Sequence, residues 1–346
     1  MQTRLVWPDA TRGICVLAVV LFHVITWYHA PIYGPETGLS GLMTLFNQGL
    51  AKVRMPVLFA LSGMFLASKL LQGWKAKGAA ARVADTYYLY VLWIIVYFLV
   101  SWTLPSSVEN RVTSFAELGI QLVLPGTSLW FIFALAVYAF AVALAATMRF
   151  RKGAVLSIAL LLWGLSQLGD PDSLSLRVVT NFIFFALGAY FSDYLKALPK
   201  ASTATCLAFV CTFIALLALR AIPGSGDMWV LALLPSLAAI PAVIVSVAGI
   251  ANITWIGIAA SFIGRRTLGI YVLHAPLIML AAAYLHPGKA VSWAQNPVMD
   301  GMLAVGMTAA VTAGSLLLHS VLRRLPGNPL FQRPRSRIEP STSRSY

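Results

Sequence analysis

Charge is scarce in this 346-residue chain. Asp, Glu, Lys and Arg make up 10% of it, against about 25% in an ordinary globular protein. Hydrophobic residues make up 59%, and the charges fall in short runs between long apolar stretches. That pattern excludes a soluble protein of one or two globular domains. Acids are scarcer still, 11 against 25 bases, for a net charge of +14. The bases sit beside apolar runs and in a tail, so they read as flanks of membrane spans, and a nucleic-acid partner is excluded. Only three cysteines occur, Cys15, Cys206 and Cys211, all inside apolar runs and without a C-x-x-C, so neither a disulfide nor a zinc framework is implied. There is no G-x-S-x-G, which removes Ser62 as a serine nucleophile. No internal repeat is evident, which weighs against an inverted-repeat transporter. The first apolar run lacks a small-residue cleavage site and reads as a retained span. Nothing polar and catalytic is appended, so any chemistry has to occur among the helices.

What is present is a series of about ten apolar runs, at 13–30, 39–71, 84–104, 127–147, 154–168, 174–194, 203–222, 228–250, 267–285 and 298–322. The clear ones approach the roughly 20 residues needed to cross a hydrocarbon core about 30 Å thick. Lys52 and Arg54 interrupt the second, and the short piece 251–264 either extends the eighth or re-enters the membrane. The expected fold class is an all-α, polytopic integral membrane protein with about ten transmembrane helices. An even number of crossings puts both termini on one side. That side carries Arg4 and Arg12; Lys69, Lys75, Lys77 and Arg82; Arg149, Arg151 and Lys152; Lys196 and Lys200; Arg265 and Arg266; and the basic tail. The opposite side carries Glu36, Glu109, Glu117, Asp170, Asp172, Asp227 and Asp300. The positive-inside rule makes the basic side cytoplasmic. Residues 1–325 are expected to form the membrane domain. Residues 326–346, ending PRSRIEPSTSRSY, read as a disordered basic cytoplasmic tail.

The stretch RGICVLAVVLFH, Arg12 to His23, holds the most informative pair. Eleven helical steps carry His23 about 16 Å from Arg12 and within about 20° of three full turns, so the two share a face. Asp9, three residues before Arg12, is placed to pair with it at the helix start. A histidine in a soluble core is usually a satisfied structural residue. Within a bilayer, ionisable side chains face the bundle interior and mark a pathway or a reaction centre, so His23 reads as functional. His29, beside Trp27 and Tyr28, reads as interfacial.

The stretch D-A-T-R-G, followed by ten residues and His23, resembles the opening motif of the membrane-bound acyltransferase-3 family of integral-membrane O-acyltransferases. Three later stretches, in order, resemble further family motifs: RMPVLFALSGMFLA (Arg54 to Ala67), SLWFIFALAVY (Ser128 to Tyr138) and GRRTLGIYVLHAPL (Gly264 to Leu277). Family members often carry an Arg and then a proline before the third span, whereas here Arg82 is followed by VADTYYLY.

The resemblance implies transfer of an acyl group, most simply acetyl, from cytoplasmic acyl-CoA to a hydroxyl of an extracytoplasmic carbohydrate or glycolipid, such as a cell-envelope glycan or a trehalose-type glycolipid. It implies a multi-pass protein of the plasma or inner membrane. Its partners would be acyl-CoA, the sugar or glycolipid acceptor and membrane lipid, with no metal. His23 would act as general base, or form an acyl-histidine. Arg12, with Lys69, Lys75 and Arg82, would hold the donor's phosphates. Arg54 would stabilise the oxyanion if it is buried, or else sit in outer-side water if the span starts at Met55. Trp130 would stack on a sugar or serve as an interfacial tryptophan. Arg177 would contact the acceptor or pair with Asp170 or Asp172. His274 would orient a neighbouring helix, line the donor channel or be purely structural. Ser62, with Gly63, supports close helix packing. The competing class is a transporter or flippase in which Arg12, His23 and Arg54 line a path for an anionic or lipid-linked substrate.

Overall fold

The computed structural model describes residues 6–29, 39–75, 78–106, 108, 111–170, 172–220, 222, 229–251, 253–285 and 297–334. Among them all regular structure is helical: α1 (Val6–Val24), α2 (Leu39–Leu70), α3 (Ala79–Trp102), α4 (Phe115–Gln121), α5 (Trp130–Thr147), α6 (Lys152–Ser166) and α7 (Leu174–Tyr190). Then follow α8 (Ser192–Ala197), α9 (Thr203–Arg220), α10 (Trp229–Ala251), α11 (Thr254–Gly264), α12 (Thr267–Tyr284) and α13 (Pro297–Leu322).

Eight of these helices are long and apolar enough to cross a membrane, and α7 with the segment Ser192–Lys200, bent by 71°, makes a ninth if the bent pair is one span. The protein is thus an all-α polytopic membrane protein; the ten expected runs are largely helical over their described residues, the sixth broken after Tyr190, and eight or nine of them have the length and apolarity of a span. The fifth is the exception in length. At 15 residues, α6 rises about 22 Å, short of a full hydrocarbon core. Lys52 and Arg54 do not break the second run: both lie in the continuous helix α2, within its apolar stretch Gly49–Leu70, and Arg54 is buried. The piece 251–264 is a separate short helix, α11, packed along α1.

Helix α1 lies at the centre and touches α2, α10, α11, α12 and α13. Its apolar residues Cys15, Val16, Val19, Val20 and Val24 are buried, as a helix surrounded by neighbours requires. By contrast α9 has no buried residue and packs against α10, an arrangement that leaves the rest of its surface to lipid. Beyond Val24 the helix widens into a π-turn, Ile25–His29, that tucks the His29 side chain into a buried position at the end of the span. A π-turn next to a buried histidine is a feature that often accompanies functional sites.

Two close approaches position the centre. A side chain at Gly264 would lie 1.7 Å from the Asp9 carbonyl oxygen, so only glycine lets α11 reach α1. A side chain at Gly63 would lie 2.1 Å from the Phe185 carbonyl oxygen, so α2 and α7 approach backbone to backbone. The connection between α4 and α5 is held by tyrosines. The Tyr90 hydroxyl donates to the Gln121 carbonyl, Tyr97 Oη lies 2.9 Å from Ser128 Oγ, and the Tyr271 hydroxyl donates to the Ser128 carbonyl. Irregular backbone among membrane helices is tolerable only when its polar groups are satisfied in this way.

The packed body extends past residue 325. Trp93 Nε1 donates to the Leu330 carbonyl at 2.8 Å, Phe331 is buried, and Arg333 meets Asp85 at 2.8 Å. The rest of the expected tail, 335–346, lies outside the described residues, as do Arg4, Glu36, Lys77, Glu109 and Asp227. Gly63→Ala is expected to cost about 1–3 kcal/mol through overpacking against α7. Gly49→Ala, where the added methyl meets open space, should be neutral. Thermal unfolding in detergent checks this: a lowered midpoint for the first only is expected, and equal midpoints would contradict the packing.

Candidate active site

The site begins with a hydrogen-bond chain that fixes two tautomers. His274, on α12, is fully buried, and its Nδ1 lies 2.6 Å from the Tyr271 carbonyl and 3.3 Å from that of Ile270. A carbonyl only accepts, so Nδ1 carries the proton and Nε2 the lone pair. That lone pair is 3.1 Å from Nδ1 of His23, which also lies 3.0 Å from the Val19 carbonyl. With acceptors on both sides, His23 Nδ1 is an N–H donor. Its Nε2 is then the basic nitrogen of the pair. The rings of Phe22 and Trp27, with centroids 4.9 Å and 4.3 Å from that of His23, pack around it.

His23 lines a cavity of about 680 Å³ with Arg54, Trp27, Trp130, Arg177, Ser128 and Tyr271. Arg54 is buried there. It donates to the Asn47 side-chain oxygen at 2.9 Å and to the Asn47 carbonyl at 3.2 Å. Its guanidinium sits 4.1 Å over the Phe22 ring, a cation–π contact. Trp130 is the first residue of α5 and is aimed into the cavity by the tyrosine-held loop before it. Arg177 pairs with Asp172 at 3.3 Å, and both line the same cavity.

A second cavity, of about 320 Å³, lies toward the N-terminal end of α1. Arg12, Arg82 and Arg265 line it, with the hydroxyls of Ser62, Thr86 and Thr267 and the apolar Leu58, Phe65, Leu66 and Leu135. Arg12 stacks 4.1 Å over the Phe65 ring. Ser62 donates to the Leu58 carbonyl at 2.7 Å and faces the cavity, while Gly63 makes the close contact with α7. Asp9 is buried at the start of α1.

The cavities place three of the expected features differently. Lys69 and Lys75 are exposed and do not line the Arg12 cavity, because Lys69 lies one turn beyond the mouth and runs toward Gly78. Arg265 stands in their place, a residue noted in the sequence only as a flanking base. His274 lines neither cavity; it lies behind His23, not in a donor channel. The described residues form one cavity at Arg12 and another at His23, and among them Tyr271 lines both. Its hydroxyl donates to the Ser128 carbonyl and lies 3.3 Å from the Phe131 amide, which donates to it. Sequence reasoning missed Tyr271 as a divider, although its position one helical turn before His274 was a usable signal. Among the described residues no group of three or more His, Cys, Asp or Glu side chains is placed to hold a metal.

A basic imidazole buried in a helical membrane bundle, between a cavity rimmed by arginines and a larger polar one, defines a membrane-embedded site suited to proton-transfer chemistry on an anionic substrate. The chain belongs to the acyltransferase-3 family: the family model, described as an acyltransferase domain, matches residues 5–320. It is therefore a multi-pass membrane acyltransferase of the O-acyltransferase kind. Comparison with curated proteins and with solved structures finds no match.

Tyr271→Phe removes the hydroxyl that satisfies both the Ser128 carbonyl and the Phe131 amide. A loss of about 1–3 kcal/mol is expected. Tyr284→Phe, whose exposed hydroxyl meets Thr103 at 2.9 Å, should lose far less. Matching unfolding midpoints for the two variants would contradict the role given to Tyr271.

Proposed function

We propose that the protein transfers an acyl group, most simply acetyl, from acyl-CoA entering the Arg12 cavity to a hydroxyl of a carbohydrate or glycolipid bound in the His23 cavity. The positive-inside distribution makes the Arg12 side cytoplasmic and the His23 side extracytoplasmic, in a plasma or inner membrane. The observation that carries the reading is the histidine pair, which leaves Nε2 as the basic nitrogen of His23, a residue that lines one cavity, while Tyr271 lines both.

The Arg12 cavity fits such a donor. Three guanidiniums at one mouth suit phosphate groups, which arginine binds with paired donors. The apolar wall and the three hydroxyls behind them suit a slender amide-bearing arm that ends in a thioester. At about 320 Å³ the cavity accepts the arm and leaves the phosphates at the mouth.

His23 Nε2 takes the proton of the acceptor hydroxyl as its oxygen adds to the thioester carbonyl. The carbon–sulfur bond then breaks and the same proton passes to the departing thiolate. While His23 is charged, its Nδ1–H bond to His274 becomes charge-assisted and stronger, so His274 orients the ring and supports its cationic form. This is the part the third member plays in a nucleophile–base–orienter chain. Arg54, buried and already held by Asn47 and Phe22, supplies a fixed positive charge for the oxyanion. Trp130 and Arg177 contact the acceptor. Swinging Tyr271 aside joins the two chambers at the reacting carbon.

Protein reconstituted with labelled acetyl-CoA and a mixed glycan and glycolipid extract tests this reading. His23→Ala is expected to lower transfer by about 10²–10⁴-fold with donor binding retained. His274→Ala should lower kcat more than it changes KM, and Arg12→Ala should raise KM for the donor. Wild-type turnover in His23→Ala would overturn the assignment.

A further inference from the structure

A third cavity, of about 350 Å³, adjoins the His23 cavity and has no part in the steps above. Phe22, Arg54, Met55, Trp130 and Arg177 line both, so the two meet along that seam. The smaller one adds Lys52, Trp163, Gln167 and Asn181. Its described lining contains three cations, Lys52, Arg54 and Arg177, and no carboxylate. The larger cavity contributes one described carboxylate, Asp172, whose exposed side chain pairs with Arg177. Among the described residues the Lys52 ammonium meets neither a carboxylate nor a hydrogen-bond acceptor, although it sits half-buried within a span. Charge placed in a membrane without an answering charge is expensive, and this makes the site one that awaits an anion.

The remaining lining says what carries that anion. Trp130 and Trp163 present indole surfaces, which bury apolar faces of a ligand. Gln167 and Asn181 donate to the Trp163 and Arg177 carbonyls at 3.2 Å and 2.8 Å, which leaves their amide oxygens as acceptors for hydroxyls. Aromatic faces, hydroxyl acceptors and the unanswered Lys52 ammonium together match a sugar bearing a carboxylate or phosphate. The volume lies at the lower end of ligand pockets, which run from about 300 to 1,000 Å³, and so suits one sugar unit.

We propose that this Lys52 cavity is the subsite for an anionic sugar unit of the acceptor, so that the hydroxyl to be acylated is set at His23 by an anion held beyond Arg54. The inference rests on the acceptor reading of the His23 cavity. The Phe22 ring, touching His23 on one side and Arg54 on the other, separates the anion from the base. Lys52 supplies the charge that recognises the anion, while Arg54 and Arg177 form the seam between the two subsites.

Equilibrium binding to the full-length protein in detergent, without any acyl donor, tests this with p-nitrophenyl β-glucuronide and p-nitrophenyl β-glucoside. The glucuronide is expected to bind about tenfold more tightly or better, as a charge-assisted contact implies. Inorganic phosphate should compete with the glucuronide and not with the glucoside. Lys52→Gln should weaken the glucuronide until its affinity matches that of the glucoside. In the unaltered protein, salt raised from about 0.05 to 0.5 M should weaken only the glucuronide, which gives a readout that does not depend on the variant folding. Equal affinities, binding of neither glycoside, or a preference that Lys52→Gln leaves intact would overturn the subsite. Failure of the acyltransfer reading shows separately, as no release of CoA thiol with any acceptor.

Discussion

The contact between His23 Nδ1 and His274 Nε2 is the interaction on which the rest of the site depends. An imidazole inside a membrane has two nitrogens to satisfy and little water to do it. Here the Tyr271 carbonyl fixes the proton of one ring, and that ring then fixes the proton of the other. The result is a single basic nitrogen. Neither helix could deliver it alone: α1 brings His23 and α12 brings His274, some 250 residues away. Their juxtaposition rests on α1 lying at the centre of the bundle, where Gly264 lets α11 close against its start.

Around this pair the polar groups are divided into compartments. The arginine-rimmed cavity and the His23 cavity draw on different levels of the same helices, α1, α2, α5 and α12, and Tyr271 belongs to both. Its hydroxyl is tied to the backbone at Ser128 and Phe131, so the divider and the loop that carries Trp130 are one unit. A barrier of this kind has a clear use in the proposed reaction, because it keeps the activated thioester and the outer water apart until an acceptor is seated. The buried cations follow the same logic. Arg54 is held by an amide, a carbonyl and an aromatic face, whereas Lys52 has no such answer among the described residues.

Much of this was legible in the sequence, and the exceptions have physical reasons. Helical periodicity alone placed His23 three turns from Arg12 on the same helix. Composition separated the ten apolar runs, since a lipid-embedded stretch holds few charges and only the second carries cations, Lys52 and Arg54, near its middle. The partner of His23 was not legible, because nothing local in YVLHAPLIML says which helix its histidine will meet. The side of a helix on which a cation ends was equally hidden: Lys69 and Lys75 follow Ser62 and Phe65 in sequence, yet leave the cavity at its rim, and Arg265 enters from a distant turn. Tyr271 stood in a quoted motif, but its role depends on a loop more than 100 residues earlier. The extension of the packed body to Pro334 rests on the buried Phe331 and on backbone contacts to α3, which a polar, proline-rich composition conceals.

The central claim is that His23 and Arg12 face opposite sides of the membrane through chambers that Tyr271 keeps apart. Accessibility of single cysteines to a charged, membrane-impermeant thiol reagent measures this directly, in a background where Cys15, Cys206 and Cys211 are replaced. His23→Cys should be modified only from the extracytoplasmic face and Arg12→Cys only from the cytoplasmic face. Modification of both from one face, or of His23→Cys from neither, would contradict the account.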